Sequence, residues 1–139
     1  MTLADTIGAA SPQRVRDLTS MLVNEHGAKR LACHFHDTRA LGLANVFAAL
    51  ESGIRFFDAS IGGLGGCPFA PGASGNVATE DVVMMLEQMG YDTGIDLPEL
   101  MNASRLAGRL TNNAPGGRAK VWLERHFNES KDAGKRICT

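Results

Sequence analysis

No sign of charge dominates this chain. Fourteen Lys and Arg face fifteen Asp and Glu, a formal net charge of -1 over 139 residues. Without a basic excess there is no electrostatic footprint for nucleic acid or an anionic membrane. The basic residues near the end (Arg118, Lys120, Arg125, Lys131, Lys135, Arg136) alternate with Glu124, Glu129 and Asp132, as on a solvated helix face or tail. No apolar run is long enough to span a bilayer. The opening MTLADTIGAASPQ lacks a basic segment followed by an apolar one, so no secretory signal is expected. Cysteine is sparse and odd in number: Cys33, Cys67 and Cys138 have no close pairing. That fits reduced thiols and a cytoplasmic protein. The length suits one domain, or part of one.

Glycine, by contrast, is abundant, at sixteen residues. Six of them fall in the run from Ile61 to Asn76, IGGLGGCPFAPGASGN, with Pro68, Pro71 and Cys67. Glycine permits close backbone approach to a ligand, and proline stiffens the loop at two points. The composition predicts a shaped loop that presents Cys67 rather than buries it.

Around this loop the periodicity alternates. Leu3–Ile7 reads as a strand. Ser11 caps a helix with Pro12 at its first position, with Val15, Leu18 and Leu22 on the inner face and a stop at Gly27. Leu31–Phe35 is a second strand. Leu43, Val46, Phe47 and Leu50 predict a helix over about Arg39–Ser52. Ile54–Ser60 is a third strand feeding the glycine loop. Val82, Val83, Leu86 and Met89 mark a third helix capped by Thr79. A fourth opens at Asp96 or Leu97 before Pro98 and runs to about Leu110. A last helical segment holds Trp122 and Phe127. The order β-α-β-α-β-loop-α-α argues for right-handed parallel βαβ units. In such folds the chemistry gathers at strand carboxyl ends, where Asp5, the histidines and the cysteine loop all fall.

His34 and His36 are two apart in a strand, so both imidazoles point to one face. Asp37 points the other way and suits a helix cap or an outer-shell acceptor. Asn76 offers a neutral oxygen at the far end of the loop. Such a donor set suits a Mg, Mn or Zn-like site, although a pair of strand histidines is also often structural. Cys33 is expected to be a buried small hydrophobe and Cys67 an exposed thiol able to move a proton. Asp5 reads either as a cap for the following turn or as a catalytic carboxylate. Glu80 lies in a first helical turn, where the helix dipole stabilises it whatever its function. The run GGLGGC has neither the ending of a P-loop nor dinucleotide-fold spacing.

Asp5-Thr6-Ile7-Gly8, His34-Phe35-His36-Asp37-Thr38 and GGLGGCPFAPGASGN with Ala78-Thr79-Glu80-Asp81 together resemble the 3-hydroxy-3-methylglutaryl-CoA lyase family. The likeness runs from Leu3 to about Leu110, and the cysteine loop is its specific part. Isopropylmalate and citramalate synthases and related aldolases share the His-x-His strand without that loop. The resemblance implies an α/β fold: a partial (β/α)8 barrel, its last three parallel βα units plus C-terminal helices. The barrel part is expected over residues 1–111 and a helical tail over 112–139. It further implies His34, His36 and Asn76 as ligands of a divalent cation, Mg or Mn. Cys67 is implied as a proton-transfer thiol, Asp5 as an active-site aspartate and Glu80 as a supporting catalytic residue. The implied reaction is retro-Claisen cleavage of an acyl-CoA, 3-hydroxy-3-methylglutaryl-CoA, to acetyl-CoA and acetoacetate. The family's first-strand segment, with an arginine and a metal-binding aspartate, has no counterpart here. An impaired activity is therefore expected, with open sheet edges that need a second copy or a complementing N-terminal half-barrel. A related condensing enzyme or aldolase, or a non-catalytic half-barrel, is the alternative.

Overall fold

Three short parallel strands set the frame: β1 (Thr2–Asp5), β2 (Ala32–Phe35) and β3 (Phe57–Asp58), in the spatial order β1-β2-β3. The structure, a computed structural model, describes residues 1–65, 75–112 and 117–133, without the side chains of 128–133. Leu3 lies beside Cys33 and Ala4 beside His34, while Cys33 and His34 lie beside Phe57 and Asp58. Side chains alternate along a strand. Cys33 and Phe35 therefore share the face that is buried under the helices, and His34 takes the opposite face with Ala4 and Asp58. The α/β class and the parallel sheet match the expectation.

The two crossovers are helices α1 (Pro12–His26) and α2 (Gly42–Glu51). At the start of α1, the Ser11 hydroxyl accepts the Arg14 N–H at 3.3 Å, and Pro12 occupies the first turn. Gly27 ends the helix with φ at 80°, a conformation that favours glycine. Asp37 starts α2 by accepting the Gly42 N–H at 2.8 Å. Not every apolar residue at helical spacing turns inward. Leu18 and Phe47, expected in the core, are 44% and 38% exposed. The buried faces are carried instead by Val15 and Thr19 on α1 and by Val46, Ala48, Ala49 and Leu50 on α2. Helices α1 and α2 pack against one another. Thr19 tolerates burial because its hydroxyl donates to the Val15 carbonyl at 2.7 Å.

The third strand is shorter than the expected Ile54–Ser60, because both ends of that segment have other partners. The Ile54 N–H closes α2 on the Ala49 carbonyl at 3.1 Å, and the Ser60 N–H goes to Val77 at 3.2 Å. Beyond β3 a single 3-10 turn covers Ile61–Gly63. Three more helices follow: α3 (Thr79–Gln88), α4 (Leu97–Thr111) and α5 (Lys120–Ala133). Thr79 is the first helical residue of α3 rather than its cap. Ala78 holds the cap position and makes no side-chain bond there. Met89, expected on the inner face of α3, is 40% exposed just past the helix end. Asp96 does cap α4, accepting the Glu99 N–H at 2.9 Å. Leu31, Cys33, Phe35, Val46, Ile54 and Val77 form the centre of the core. Burial raises the Cys33 thiol to about 11, as for an inert packing residue. Among the described residues no helix is long and apolar enough to cross a membrane.

Candidate metal centre

The backbone after the glycine run is what builds the site. Residues 76–78 run between the end of β2 and Ser60. The Val77 N–H donates to Phe35 and the Asp37 N–H to Gly75, each at 3.0 Å. On the other side the Thr79 N–H donates to Ser60 at 2.9 Å. An antiparallel bridge thereby sets Asn76 opposite His36, and residues directly opposite in such a pair project to the same side.

Gly75 is essential to this path. Its φ is 99°, and a Cβ there would strike the carbonyl oxygens of Gly63 and Gly65. The 61–65 segment thus lies directly against residues 75 and 76. In that contact the Asn76 side-chain NH2 donates to the Leu64 carbonyl at 2.8 Å. The amide orientation is fixed, and its Oδ1 is left buried with no hydrogen-bond partner.

The two imidazoles stand edge to face, with ring centroids 5.3 Å apart. His36 is buried and its Nδ1 has no hydrogen-bond partner. Burial lowers its pKa, His34 lowers it further, and Asp5 partly opposes both. The neutral, ligand-competent form is therefore favoured at neutral pH. A buried amide oxygen and a buried imidazole nitrogen, both without a partner and carried by residues opposite one another, cost free energy unless something occupies them. The donor set fits a divalent cation with positions left over for substrate or water. Among the described residues no three His, Cys, Asp or Glu side chains gather closely enough to hold a metal alone. Any cation held here would need the amide oxygen beside the imidazoles.

The Asp5 carboxylate accepts the Ala9 N–H at 2.9 Å and the Ala10 N–H at 3.0 Å, as a strand-end cap would. Its charge still reaches His36. Glu80 is 0% exposed. Its Oε2 accepts the Gly62 N–H at 2.9 Å and its Oε1 accepts the Ser104 hydroxyl at 2.8 Å. Cys67 lies outside the described residues. Two groups escaped the sequence reading. Asp58 shares the sheet face of His34 by register, and its signal was a carboxylate ending the strand next to the histidines. Ser104 sits in an ordinary amphipathic helix, and nothing in its spacing sets it apart.

A model of the HMGL-like family matches residues 1–107. The chain belongs to that family. Hydroxymethylglutaryl-CoA lyase YngG of Bacillus subtilis is 52% identical over 105 residues, covering 76% of this chain and 35% of that protein. The human mitochondrial hydroxymethylglutaryl-CoA lyase is 45% identical over 112 residues, covering 81% and 34%. A solved HMG-CoA lyase from Acinetobacter baumannii, in complex with coenzyme A and 3-methylmalate, superposes with a TM-score of 0.81 at 50% identity. It covers 85% of this chain and 39% of that one. The chain spans about a third of the length of the curated relatives it matches.

Proposed function

We propose that this chain carries the His34, His36 and Asn76 portion of a hydroxymethylglutaryl-CoA lyase site. The reaction is divalent-cation-dependent cleavage of 3-hydroxy-3-methylglutaryl-CoA to acetyl-CoA and acetoacetate. The observation that supports it best is the pair of orphaned donors, Asn76 Oδ1 and His36 Nδ1, held together by one backbone bridge. Identity of about half the residues to curated lyases supports the same reading.

When bound to these donors, Mg or Mn supplies Lewis acidity to the substrate's hydroxyl and carboxyl oxygens. His34 and His36 contribute imidazole nitrogens, and Asn76 contributes an oxygen whose direction the Leu64 carbonyl has fixed. A base takes the proton of the tertiary hydroxyl. The bond from the carbinol carbon to the thioester α-carbon then breaks, and the carbinol carbon becomes the ketone of acetoacetate. The electron pair passes to the thioester enolate, which is protonated to acetyl-CoA. In this reading Cys67 handles a proton at its sulfur, and Asp5 tunes the imidazoles while tying the β1–α1 turn. Glu80 supports the loop from within the protein.

The parallel sheet belongs, in the same reading, to a partial (β/α)8 barrel in the cytoplasm. Neither outer edge of the three strands is paired among the described residues. A second copy or a complementing half-barrel would cover the β1 edge and complete the acyl-CoA pocket. The test is acetyl-CoA release from 3-hydroxy-3-methylglutaryl-CoA with Mg or Mn, with chelator, and with His34→Ala. Slow release that needs the metal and is lost in the variant is expected. Release that survives chelator, or survives His34→Ala, contradicts the reading.

A further inference from the structure

Ser104 is remote in sequence from every residue of the proposed centre, yet it is 0% exposed and donates at 2.8 Å to a carboxylate that is also fully buried. A buried carboxylate must have its lone pairs occupied by good donors. Glu80 satisfies this by joining α3 to three other parts of the molecule. Its Oε1 takes the α4 hydroxyl of Ser104 and, at a long 3.5 Å, the Gly117 N–H, while its Oε2 takes the Gly62 N–H at 2.9 Å. Gly62 lies within the Ile61–Gly63 turn, with φ at 65°. Two residues later the Leu64 carbonyl holds the Asn76 side-chain NH2 at 2.8 Å. The backbone of that turn also packs on residues 75 and 76: a Cβ on Gly63 would come within 2.9 Å of the Asn76 carbonyl oxygen. One continuous set of bonds therefore runs from α4 to the amide whose Oδ1 has no partner.

We propose that Ser104 is a positioning residue for Asn76: through Glu80 and the 61–64 backbone it fixes the direction in which the Asn76 amide oxygen is presented. The inference rests on the reading of Asn76 as a cation ligand. Its structural part, however, stands on hydrogen bonds that need no cation. Without the Ser104 hydroxyl, the buried Glu80 carboxyl has one donor fewer, and its Oε1 is left with the distant Gly117 N–H alone. The carboxylate then relaxes, and its grip on the Gly62 N–H loosens with it. The turn gains freedom, and so does the carbonyl that orients Asn76. Partners that orient metal ligands in this way typically change affinity 10- to 100-fold when removed.

The test compares the full 139-residue chain with Ser104→Ala and with Ser104→Thr, which keeps the hydroxyl. Two readouts are used: NMR of the Gly62 amide and the Asn76 side-chain amide without metal, and Mn titration. In Ser104→Ala the Gly62 amide is expected to exchange faster and the Asn76 side-chain signals to shift. Mn affinity is expected to fall ~10-fold, and Ser104→Thr to restore all three. Unchanged Gly62 and Asn76 signals in a folded Ser104→Ala protein overturn the proposal, whatever happens to its stability. If the unsubstituted chain binds no Mn, the cation reading fails while the NMR signals still decide the positioning role. If Ser104→Ala does not fold, Ser104→Cys, similar in shape but a weaker donor, is judged by the same signals.

Discussion

Two neighbouring residues, Gly75 and Asn76, do different jobs in the proposed centre. Gly75 makes the path possible, and Asn76 delivers the oxygen. Gly75→Ala must place a Cβ against two carbonyl oxygens at a φ of 99°. A non-glycine residue in such a conformation costs on the order of 1–3 kcal/mol, and the clash adds to that. Urea unfolding of Gly75→Ala is expected to show at least that loss, together with weaker cation binding. Asn76→Ala should behave differently. It removes the orphaned oxygen and one bond to Leu64, so the fold is expected to survive with Mn affinity lowered at least ~10-fold. Equal binding by Asn76→Ala and the unsubstituted chain would remove the amide from the ligand set. His34 and His36 were legible in the sequence because strand alternation is a local rule. The Asn76 oxygen was legible only as a candidate, since its direction depends on a carbonyl twelve residues away. Ser104 was not legible at all: its meaning lies in a carboxylate twenty-four residues distant.

The helix starts show how far local chemistry carries. Ser11 with Pro12, and Asp96 before Pro98, announce α1 and α4 in the sequence and cap them in the structure. Ser11→Ala or Asp96→Ala is expected to cost ~1 kcal/mol each in thermal or urea unfolding. Thr79 misleads because the residue ahead of it, Ala78, is already held by bridging to Ser60. Leu18, Phe47 and Met89 mislead for another reason. Periodicity marks which residues are apolar, but not whether a neighbouring element covers that part of the helix, and Met89 lies just past the end of α3. The start of α5 has a distant cap of its own. Asp81, in the first turn of α3, accepts the Arg118 N–H at 2.8 Å and the Ala119 N–H at 2.9 Å. Burial nevertheless holds the Asp81 carboxyl above its ordinary value of 3.8, against the pull of those two N–H groups. The folded protein then binds this proton more tightly than the unfolded chain does. The Asp81 contribution is therefore fully present below the unfolded value, and stability falls as pH rises from there through the raised one. Urea midpoints measured upward from pH 3.8 should show this fall, and Asp81→Asn should flatten it.

At the scale of the molecule, the three strands and two crossovers form a parallel sheet, with Asp5 and the two histidines at or just beyond the carboxyl ends of β1 and β2. The class was legible because alternating strand and helix periods leave few topologies open. The sheet is small for a barrel, and its edges are unpaired among the described residues. On the reading proposed above, a complementing chain or second copy raises both stability and acetyl-CoA release, as partner binding to the folded form does by mass action. Sedimentation across a range of protein concentrations reads the second-copy case directly.

In the proposed centre His34, His36 and Asn76 hold one divalent cation, and a Mn titration of the chain followed by NMR reads this directly. Manganese bound there is predicted to broaden the His34 and His36 ring signals and the Asn76 side-chain amide first, at one equivalent. Chelator should restore them, and Asn76→Ala should displace the effect to higher Mn concentration. Broadening that begins at the exposed carboxylates instead, and leaves the two rings and the Asn76 amide sharp, would rule out a cation held by these three residues.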